Sequence, residues 1–378
     1  MVLRRSAAPE RRGFENEANR LNPVRRVIGG EAKLVVAAMH EDTASGEDAS
    51  TVAHREAGSA SRASHSAPEA VVCVATCRRP DMLRLTLQSL VDQIGPTRFA
   101  VVVVDNDPVG MAGVPIVNAF LDAGLLEGFC VVEAQPGNCR ACNRAFQEAR
   151  RRFASASYIL MIDDDEVADP EWIARMIAAC RERQVDIVGG PVAPHFPDGA
   201  PDALARHPVY WPAYSRSGFV PMIYGSGNFL IRRQAFERLS HPEFDLRYNF
   251  LGGGDTDFFT RCRRAGLTFY WEQAARIVET VPSDRVRAAW ILRRGLRIGA
   301  INFHIDESSS PSAVGRARLV AKNGVLLPVS AFRSLKLLAQ GKPALVSAHP
   351  MVVAIGRLMA WLGVEPQQYR FKPAEPKP

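Results

Sequence analysis

The stretch that decides the fold is YILMIDDDE, residues 158–166. Five apolar residues followed by four acids predict a short buried β-strand whose carboxyl end is charged. Helical patterns follow this run and two of the three similar runs that precede it: VVCVAT at 71–76, AVVVVD at 100–105 and FCVVEA at 129–134. Strands that alternate with helices predict an α/β fold with a doubly wound, mostly parallel sheet.

The composition agrees with a folded protein. The chain has 378 residues, 47% hydrophobic and 23% charged, which excludes wholesale disorder, a coiled coil and collagen. Residues 1–68 lack periodicity, and 17 of the 26 residues at 43–68 are Ala, Ser, Thr or Gly. Such a segment buries too little apolar surface to offset its ordering entropy. We therefore expect a disordered tail at 1–68, an α/β domain at 69–304 and a basic, amphipathic helical extension at 305–378.

Charge is unevenly distributed along the chain. Residues 69–284 carry 22 basic and 27 acidic residues, whereas residues 285–378 carry 15 and 4, a net of +11. No nucleic-acid-binding signature accompanies this excess, so nucleic acid is not an expected partner. Two interpretations stay open: an amphipathic surface that lies on an anionic bilayer, or a packed helical appendage with a solvated basic face.

The cysteines and apolar stretches bear on the compartment. Seven cysteines and a polar first segment predict reduced thiols in the cytoplasm. The longest charge-free stretch of the C-terminal region, residues 343–356, is short for a bilayer span. Any membrane contact is therefore expected to be peripheral, at the inner face of the cytoplasmic membrane. Cys139 and Cys142 have the spacing of a zinc or redox pair, but no second pair completes a site, which favours inert thiols.

The strand ends hold the candidate chemistry. In open α/β sheets, ligands bind beyond the carboxyl ends of the strands, and here these ends carry Thr76, Asp105 and Asp163–Asp165. Three contiguous carboxylates repel one another unless a hard divalent cation such as Mg²⁺ or Mn²⁺ neutralises them. The alternative is a solvated acidic turn that caps the helix near Pro170.

Six blocks in this order and spacing resemble family 2 glycosyltransferases with the GT-A fold, closest to the bacterial exopolysaccharide enzymes of the succinoglycan type. The resemblance covers residues 70–304. Each block is weak alone, and the combination is specific. The blocks are VVCVATCRRPDMLRLTLQSLVDQ (71–93), VVVVDND (101–107), PGNCRACN (136–143), ILMIDDDEVADPEW (159–172), GSGNFLIRR (225–233) and GGGDTDFFTRCRRAG (252–266).

The resemblance implies a role for each matching residue. Asp165 matches the acid that binds Mg²⁺ or Mn²⁺. The family block that ends Ala-Arg-Asn reads Ala-Cys-Asn here, and Arg79 or Arg140 are candidates to replace the missing arginine. The residues implied in binding a UDP-sugar donor are Thr76, Arg79, Asp105, Asn143, Asp163 and Asp164.

Asp255 matches the catalytic base of the family, which takes a proton from the acceptor hydroxyl. The usual Glu-Asp pair is Gly254-Asp255 here, so the first acid is missing. The alternative is that Asp255 only caps the following helix. The residues expected near the acceptor are Trp211, Gly253, Gly254 and Asp257, and core packing is an equal interpretation of Trp211.

The resemblance thus implies an inverting, metal-dependent transfer of a hexose from a UDP-sugar, with UDP-glucose one candidate. The implied acceptor is a saccharide or a lipid-linked oligosaccharide in exopolysaccharide or envelope assembly. Two other functions stay open: a nucleotidyltransferase on a similar fold, and a non-catalytic nucleotide-sugar-binding protein.

Overall fold

Eight strands form the central sheet of the computed structural model, which describes residues 67–310 and 312–364. Apart from its last two residues, the tail predicted at 1–68 lies outside the described residues. In chain order the elements are β1 (Ala70–Thr76), α1 (Pro80–Val91), β2 (Phe99–Asp105), α2 (Gly113–Asp122), β3 (Gly128–Val132), α3 (Asn138–Arg152), β4 (Tyr158–Asp163), β5 (Glu166–Ala168), α4 (Trp172–Glu182), β6 (Ile187–Gly189), β7 (Val192–His195), α5 (Asp202–Ala205), β8 (Gly218–Val220), β9 (Phe229–Arg232), α6 (Gly254–Arg264), β10 (Phe269–Trp271), β11 (Ile277–Thr280), α7 (Ala288–Ser308), α8 (Ala313–Ala339) and α9 (Ala344–Trp361).

The central sheet has the strand order β3-β2-β1-β4-β9-β6-β10-β8, and only β8 and β9 run against the others. A smaller sheet has the order β5-β11-β7. Thr76 pairs with Asp105, and Ala75 pairs with Asp163, so three strands end at one edge. The predicted mostly parallel α/β sheet is confirmed, and its register brings the predicted site residues to one edge.

Successive side chains of β1 enter opposite layers of the core. Val71 and Cys73 pack in the layer that contains α3 and α6, whereas Val72 and Val74 pack in the layer that contains α1 and α4. All four are fully buried. A strand covered by helices on both faces is expected to be apolar throughout, and the run VVCV has that pattern.

Several local predictions differ from the structure. Helix α2 was not anticipated, because Gly110, Gly113 and Pro115 make its surroundings resemble a loop. Helix α3 begins at Asn138, well before the predicted start at residue 143, because Gly137 at φ 130° turns the chain into the helix. The predicted strand at 225–231 forms only from Phe229, since Gly225 has φ 94°.

The C-terminal region is helical, as predicted, and α7 and α9 pack with their backbones in close approach. A Cβ atom on Gly299 would lie 2.1 Å from the carbonyl oxygen of Val353, and one on Gly356 would lie 2.0 Å from that of Leu296. Arg357 on α9 is buried and donates to Asp306 on α7 (2.7 Å) and Asn323 on α8 (3.0 Å). The three helices therefore share one polar contact.

Helix α9 is, by length and composition, apolar enough to cross a membrane, and no other helix of the described residues meets both criteria. Its 18 residues have a mean hydropathy of 1.4. The charge-free stretch at 343–356, which is short for a bilayer span, ends just before Arg357. The Arg357 side chain is buried, and the helix continues past it to Trp361.

The close packing of α7 and α9 predicts opposite effects for two glycine substitutions. Gly299→Ala should lower the free energy of unfolding by about 1–3 kcal/mol, because the methyl group has no space. Gly324→Ala on α8, where a Cβ would meet nothing within 4 Å, should raise it by about 0.5–1 kcal/mol. Urea unfolding of both variants measures the difference, and a stabilised Gly299→Ala variant would contradict the packing.

Candidate active site

Four predicted residues meet where β1 and β4 end. Asp164 accepts a hydrogen bond from the Thr76 hydroxyl (2.8 Å) and one from the Arg79 guanidinium (3.1 Å). Arg79 also donates to Asp165, with 2.8 Å between Nη1 and Oδ2. Asp164 and Asp165 are buried, so the guanidinium supplies the positive charge that their burial requires.

Asp163 is held by a loop from a distant part of the chain. Its backbone amide donates to Glu166 Oε2 (2.8 Å), and its Oδ2 lies 3.4 Å from the Ser226 hydroxyl. A Cβ on Gly227 would lie 2.1 Å from Glu166 Oε1, so the glycine lets the loop pack against that carboxyl group. The Gly225–Gly227 segment therefore buttresses the acidic turn.

The carboxylates perturb one another. Burial, and then the charges of Asp165 and Asp164, raise the pKa of Asp163 well above its ordinary value. Burial likewise raises the pKa of Glu166, and burial together with Asp165 raises the pKa of Glu279 to about 7. Hard carboxylate oxygens under mutual repulsion fit a divalent cation. Within residues 67–310 and 312–364 no group of three His, Cys, Asp or Glu side chains is arranged to hold a metal ion.

Sequence analysis missed two charged residues of this cluster. Arg285 Nη1 lies 3.0 Å from Glu279 Oε1 and 3.9 Å from Asp165 Oδ2. Glu279 reaches the cluster because β11 pairs with β5, which places it opposite Glu166. Arg285 is the first residue of the basic region, where its charge indicated a surface role. Only the pairing of the small sheet could have identified either residue.

Asp105 is completely buried in this conformation. Its two carboxylate oxygens accept the amides of Asp107 (3.1 Å) and Gly113 (2.7 Å), so segment 107–113 folds over it. Arg78 pairs with Asp107 (2.8 Å) and ties this segment to the loop after β1. A nucleoside can contact Asp105, as the resemblance implies, only after the segment moves.

Asn143 is partly buried, and both polar atoms of its side chain are bonded to the backbone. Its amide nitrogen donates to the carbonyl of Phe244 (2.9 Å), and its oxygen accepts the amide of the same residue (2.7 Å). The side chain thus pairs with one backbone position 101 residues along the chain. The structure does not bring this amide to Asp164 or Asp165.

Asp255 lies in the first turn of α6 but forms no cap. The N-cap residue of the helix is Gly253, which has φ 88° and, as a glycine, has no side chain to cap the helix. Asp255 Oδ2 instead accepts the amide of Gly225 (2.8 Å). Because Ser226, the next residue, contacts Asp163, the same loop links Asp255 to the acidic turn.

Three of the residues expected near the acceptor, Gly253, Gly254 and Asp257, contact other parts of the protein. Asp257 is buried and paired with Arg261 (2.8 Å). A Cβ on Gly254 would lie 2.7 Å from Cys139 Sγ, and one on Gly253 would lie 2.5 Å from Ile301. Both glycines therefore face protein atoms, and Asp257 is engaged in an ion pair.

Trp211 hydrogen bonds within its own loop, whereas the preceding residue, Tyr210, hydrogen bonds to the backbone of Arg285. The Trp211 indole donates to the carbonyl of Ala205 (2.9 Å). Tyr210 stacks on Trp290, with 5.6 Å between ring centroids, and its hydroxyl donates to the carbonyl of Arg285 (2.7 Å). The stacked rings of Tyr210 and Trp290 therefore lie beside the backbone of Arg285.

The cysteine pair in α3 is buried and free. Burial raises the pKa of the Cys139 thiol to about 12 and that of Cys142 well above its ordinary value. Thiolates are the reactive and metal-binding form, so burial disfavours both redox and zinc chemistry here.

The sequence model of Glycosyl transferase family 2 matches residues 71–240. Succinoglycan biosynthesis protein ExoM of Rhizobium meliloti (strain 1021) is 30% identical over 238 residues, which cover 60% of this chain and 71% of ExoM. O-antigen biosynthesis protein RfbC of Myxococcus xanthus is 24% identical over 238 residues, 58% of this chain and only 18% of RfbC.

Solved structures support the fold. The mannosyltransferase PcManGT from Pyrobaculum calidifontis, solved with GDP-Man and Mn²⁺, has a TM-score of 0.50 and 19% identity. The match covers 78% of this chain and 88% of that one. At this identity the likeness extends to the fold alone.

The pairing of Asn143 with Phe244 predicts a role in stability. Asn143→Ala should lower the free energy of unfolding by about 1–3 kcal/mol, because two backbone groups lose their partner. UDP affinity, measured by calorimetry, should stay unchanged. Gln147→Ala, at an exposed position of the same helix, is the matched control. Weaker UDP binding with unchanged stability would show instead that Asn143 contacts the donor.

Proposed function

Because the chain belongs to Glycosyl transferase family 2, we propose that this glycosyltransferase moves a hexose from a UDP-sugar to a saccharide with inversion. The observation that carries the proposal is the acidic turn at 163–165, flanked by Arg79 and Arg285 and linked to Asp255 by one loop. Leaving-group binding and proton abstraction can therefore occur side by side. Family membership disfavours the nucleotidyltransferase alternative.

Two arginines suit the diphosphate of the donor. Arg79 and Arg285 both approach Asp165, and a guanidinium group matches the geometry of phosphate oxygens. Arg79 thus replaces the arginine that the family pattern places at 142. Thr76 hydrogen bonds to Asp164, which also accepts from Arg79, so both residues lie beside the proposed diphosphate site. Asp105 completes the nucleoside pocket once segment 107–113 opens.

A divalent cation fits beside Asp165. The carboxylates of Asp163 and Asp165 are the hard oxygen ligands that Mg²⁺ and Mn²⁺ prefer. When bound, the ion supplies positive charge against the departing diphosphate. Arg285 pairs with Glu279 (3.0 Å) and lies 3.9 Å from Asp165, so it adds positive charge beside that carboxylate.

Asp255 is the proposed base. Its Oδ2 accepts the Gly225 amide (2.8 Å) and the Thr256 hydroxyl (3.4 Å), which together orient the carboxylate. A carboxylate held in this way can accept the proton of an acceptor hydroxyl as that oxygen attacks the anomeric carbon. The stacked pair of Tyr210 and Trp290 behind Arg285 offers an aromatic surface for an acceptor sugar, in place of Trp211.

The relative ExoM is named for succinoglycan biosynthesis, which supports a role for this chain in exopolysaccharide assembly. An acceptor in such a pathway is a growing oligosaccharide on a lipid carrier. This interpretation makes the surface of the C-terminal helices relevant, because the enzyme then works beside a membrane.

Helix α8 exposes an apolar stripe. Its members are spaced by three, four or seven residues and face solvent: Val314, Ala321, Val325, Pro328, Phe332 and Leu335. Phe332 and Leu335 are 69% and 66% exposed. Arg318, Lys322 and Lys336 flank the stripe at exposed positions. An apolar stripe with cations at its border fits a helix that lies in an anionic membrane surface.

Asparagine and alanine at position 255 separate the proposed base from a structural role. Asp255→Asn keeps an oxygen for the Gly225 amide, so stability should hold while transfer falls roughly 10²-fold or more. Asp255→Ala should lose transfer and also about 1 kcal/mol of stability. The assay is UDP release from UDP-glucose and other UDP-hexoses with an acceptor, run with Mn²⁺ and with EDTA.

Asp198→Asn, at an exposed position, is the control and should behave as wild type. EDTA should abolish release. An active Asp255→Asn variant would remove Asp255 from the mechanism, and absence of release from every UDP-hexose would overturn the donor assignment.

Vesicle binding tests the stripe. The full chain should float with vesicles that contain anionic lipid at low salt, and high salt should release it, because exposed charges are screened within about 10 Å at 0.1 M ionic strength. Val325→Asp with Phe332→Asp should abolish flotation, whereas Gly324→Ala should not. Protein that stays free at low salt contradicts the proposal. Protein that resists both salt and alkaline carbonate would show instead that α9 spans the bilayer.

A further inference from the structure

A basic groove lies along α3, outside the acidic cluster. It has a volume of about 530 Å³ and runs between this helix and residues 242–246. Its lining contains Glu133, Glu243 and five arginines. The arginines are Arg140, Arg144, Arg150, Arg151 and Arg233. Nothing in the proposed mechanism uses this groove.

Positive charge in the groove exceeds the carboxylates that could balance it. Arg144, Arg151 and Arg152 share one buried carboxylate, Glu148, at 2.8–3.1 Å. The Arg233 guanidinium donates to the backbone carbonyls of Phe153 and Arg150. In the part of the chain that the structure describes, Arg233 thus pairs with no acid. A surplus of guanidinium groups in a concave surface attracts anions.

The arginines are arranged for an extended ligand. Arg140, Arg144 and Arg151 follow one another at spacings of four and seven residues, which places them along one side of α3. From the first to the last, the helix rises about 16 Å. Arg144 Nη2 pairs with Glu148 (3.0 Å), whereas Arg144 Nε is buried without a hydrogen-bond partner.

One end of the groove adjoins the segment that carries Asp255. Arg140 donates its backbone amide to Asn249 Oδ1 (3.3 Å), and Asn249 donates to the carbonyl of Pro136 (2.9 Å). Cys139, beside Arg140, touches the backbone of Gly254, since a Cβ there would lie 2.7 Å from its sulfur. Arg140, at this end of the groove, therefore lies near the turn that precedes Asp255.

We propose that this groove binds the carboxylate-bearing part of an acidic oligosaccharide acceptor. The inference rests on the proposed transfer to a saccharide. Arginines recognise carboxylates, while Glu133, Glu243 and the exposed amide of Gln147 suit sugar hydroxyl groups. The two acids disfavour an inorganic polyphosphate, which is charged on every unit and carries no sugar hydroxyl groups to donate to them. A saccharide with both carboxylates and hydroxyls matches the whole lining.

Calorimetry with the full chain tests the groove with three probes: tetragalacturonate, neutral maltotetraose and inorganic tripolyphosphate. Tetragalacturonate should bind about tenfold more tightly than maltotetraose, and salt should weaken it, because guanidinium–carboxylate contacts supply the difference. Equal affinity for the acidic and neutral sugars overturns the proposal. Tripolyphosphate that binds as tightly as tetragalacturonate overturns the saccharide assignment.

Substitutions at Gln147 change the charge of the groove without touching a bonded side chain. Gln147→Lys should tighten tetragalacturonate binding and Gln147→Glu should weaken it, each by about fivefold. Arg144→Gln with Arg151→Gln should weaken it further, whereas Arg216→Gln with Arg263→Gln, both exposed elsewhere, should not. Identical affinities in the two Gln147 variants contradict the site.

Release of UDP from UDP-sugar in water separates this inference from the proposed function. That release needs no acidic acceptor and should be unchanged in all groove variants. If UDP release is intact but the acidic and neutral sugars bind equally well, only the groove proposal is overturned. If the wild-type protein releases no UDP from UDP-sugar, the proposed donor chemistry is wrong, whatever the groove binds.

Discussion

The structure depends on how buried carboxylates at the end of β4 are kept together. Asp163, Asp164 and Asp165 follow one another in a protein interior where like charges are costly. Arg79 from the loop after β1, Ser226 from the loop before β9 and Arg285 from the segment after β11 contact them. Each partner comes from a different part of the chain. The requirement to neutralise one turn therefore fixes where three distant loops must meet.

Sequence reasoning identified what local pattern determines. The apolar runs of β1, β2 and β4 and the acids after them predicted the strands, their common edge and the clustering of Thr76 with Asp164. It could not identify Glu279 or Arg285, because the pairing of β11 with β5 depends on contacts more than 100 residues apart. The pairing of Asn143 with Phe244 was not identified either, because Phe244 lies in a loop without regular pattern. Nor could local pattern show that Tyr210, and not the adjacent Trp211, hydrogen bonds to the backbone of Arg285.

Two departures from the family pattern are connected in space. The position of the missing glutamate is Gly254, and any side chain there would collide with Cys139, which belongs to the same block as Cys142, the residue in place of the usual arginine. Both blocks therefore contribute to one tight contact between α3 and the turn before α6. The guanidinium group that pairs with Asp164 and Asp165 comes instead from Arg79 in the loop after β1.

Helix α7 joins the C-terminal helices to the turn that carries Asp255. Ile301 packs against Gly253 so closely that a Cβ on that glycine would lie 2.5 Å from it. Five residues further along α7, Asp306 belongs to the buried Arg357 network with α8 and α9. Close-packed elements transmit displacement instead of absorbing it. A tilt of the C-terminal helices would therefore disturb the contact between Ile301 and Gly253, two residues before the proposed base.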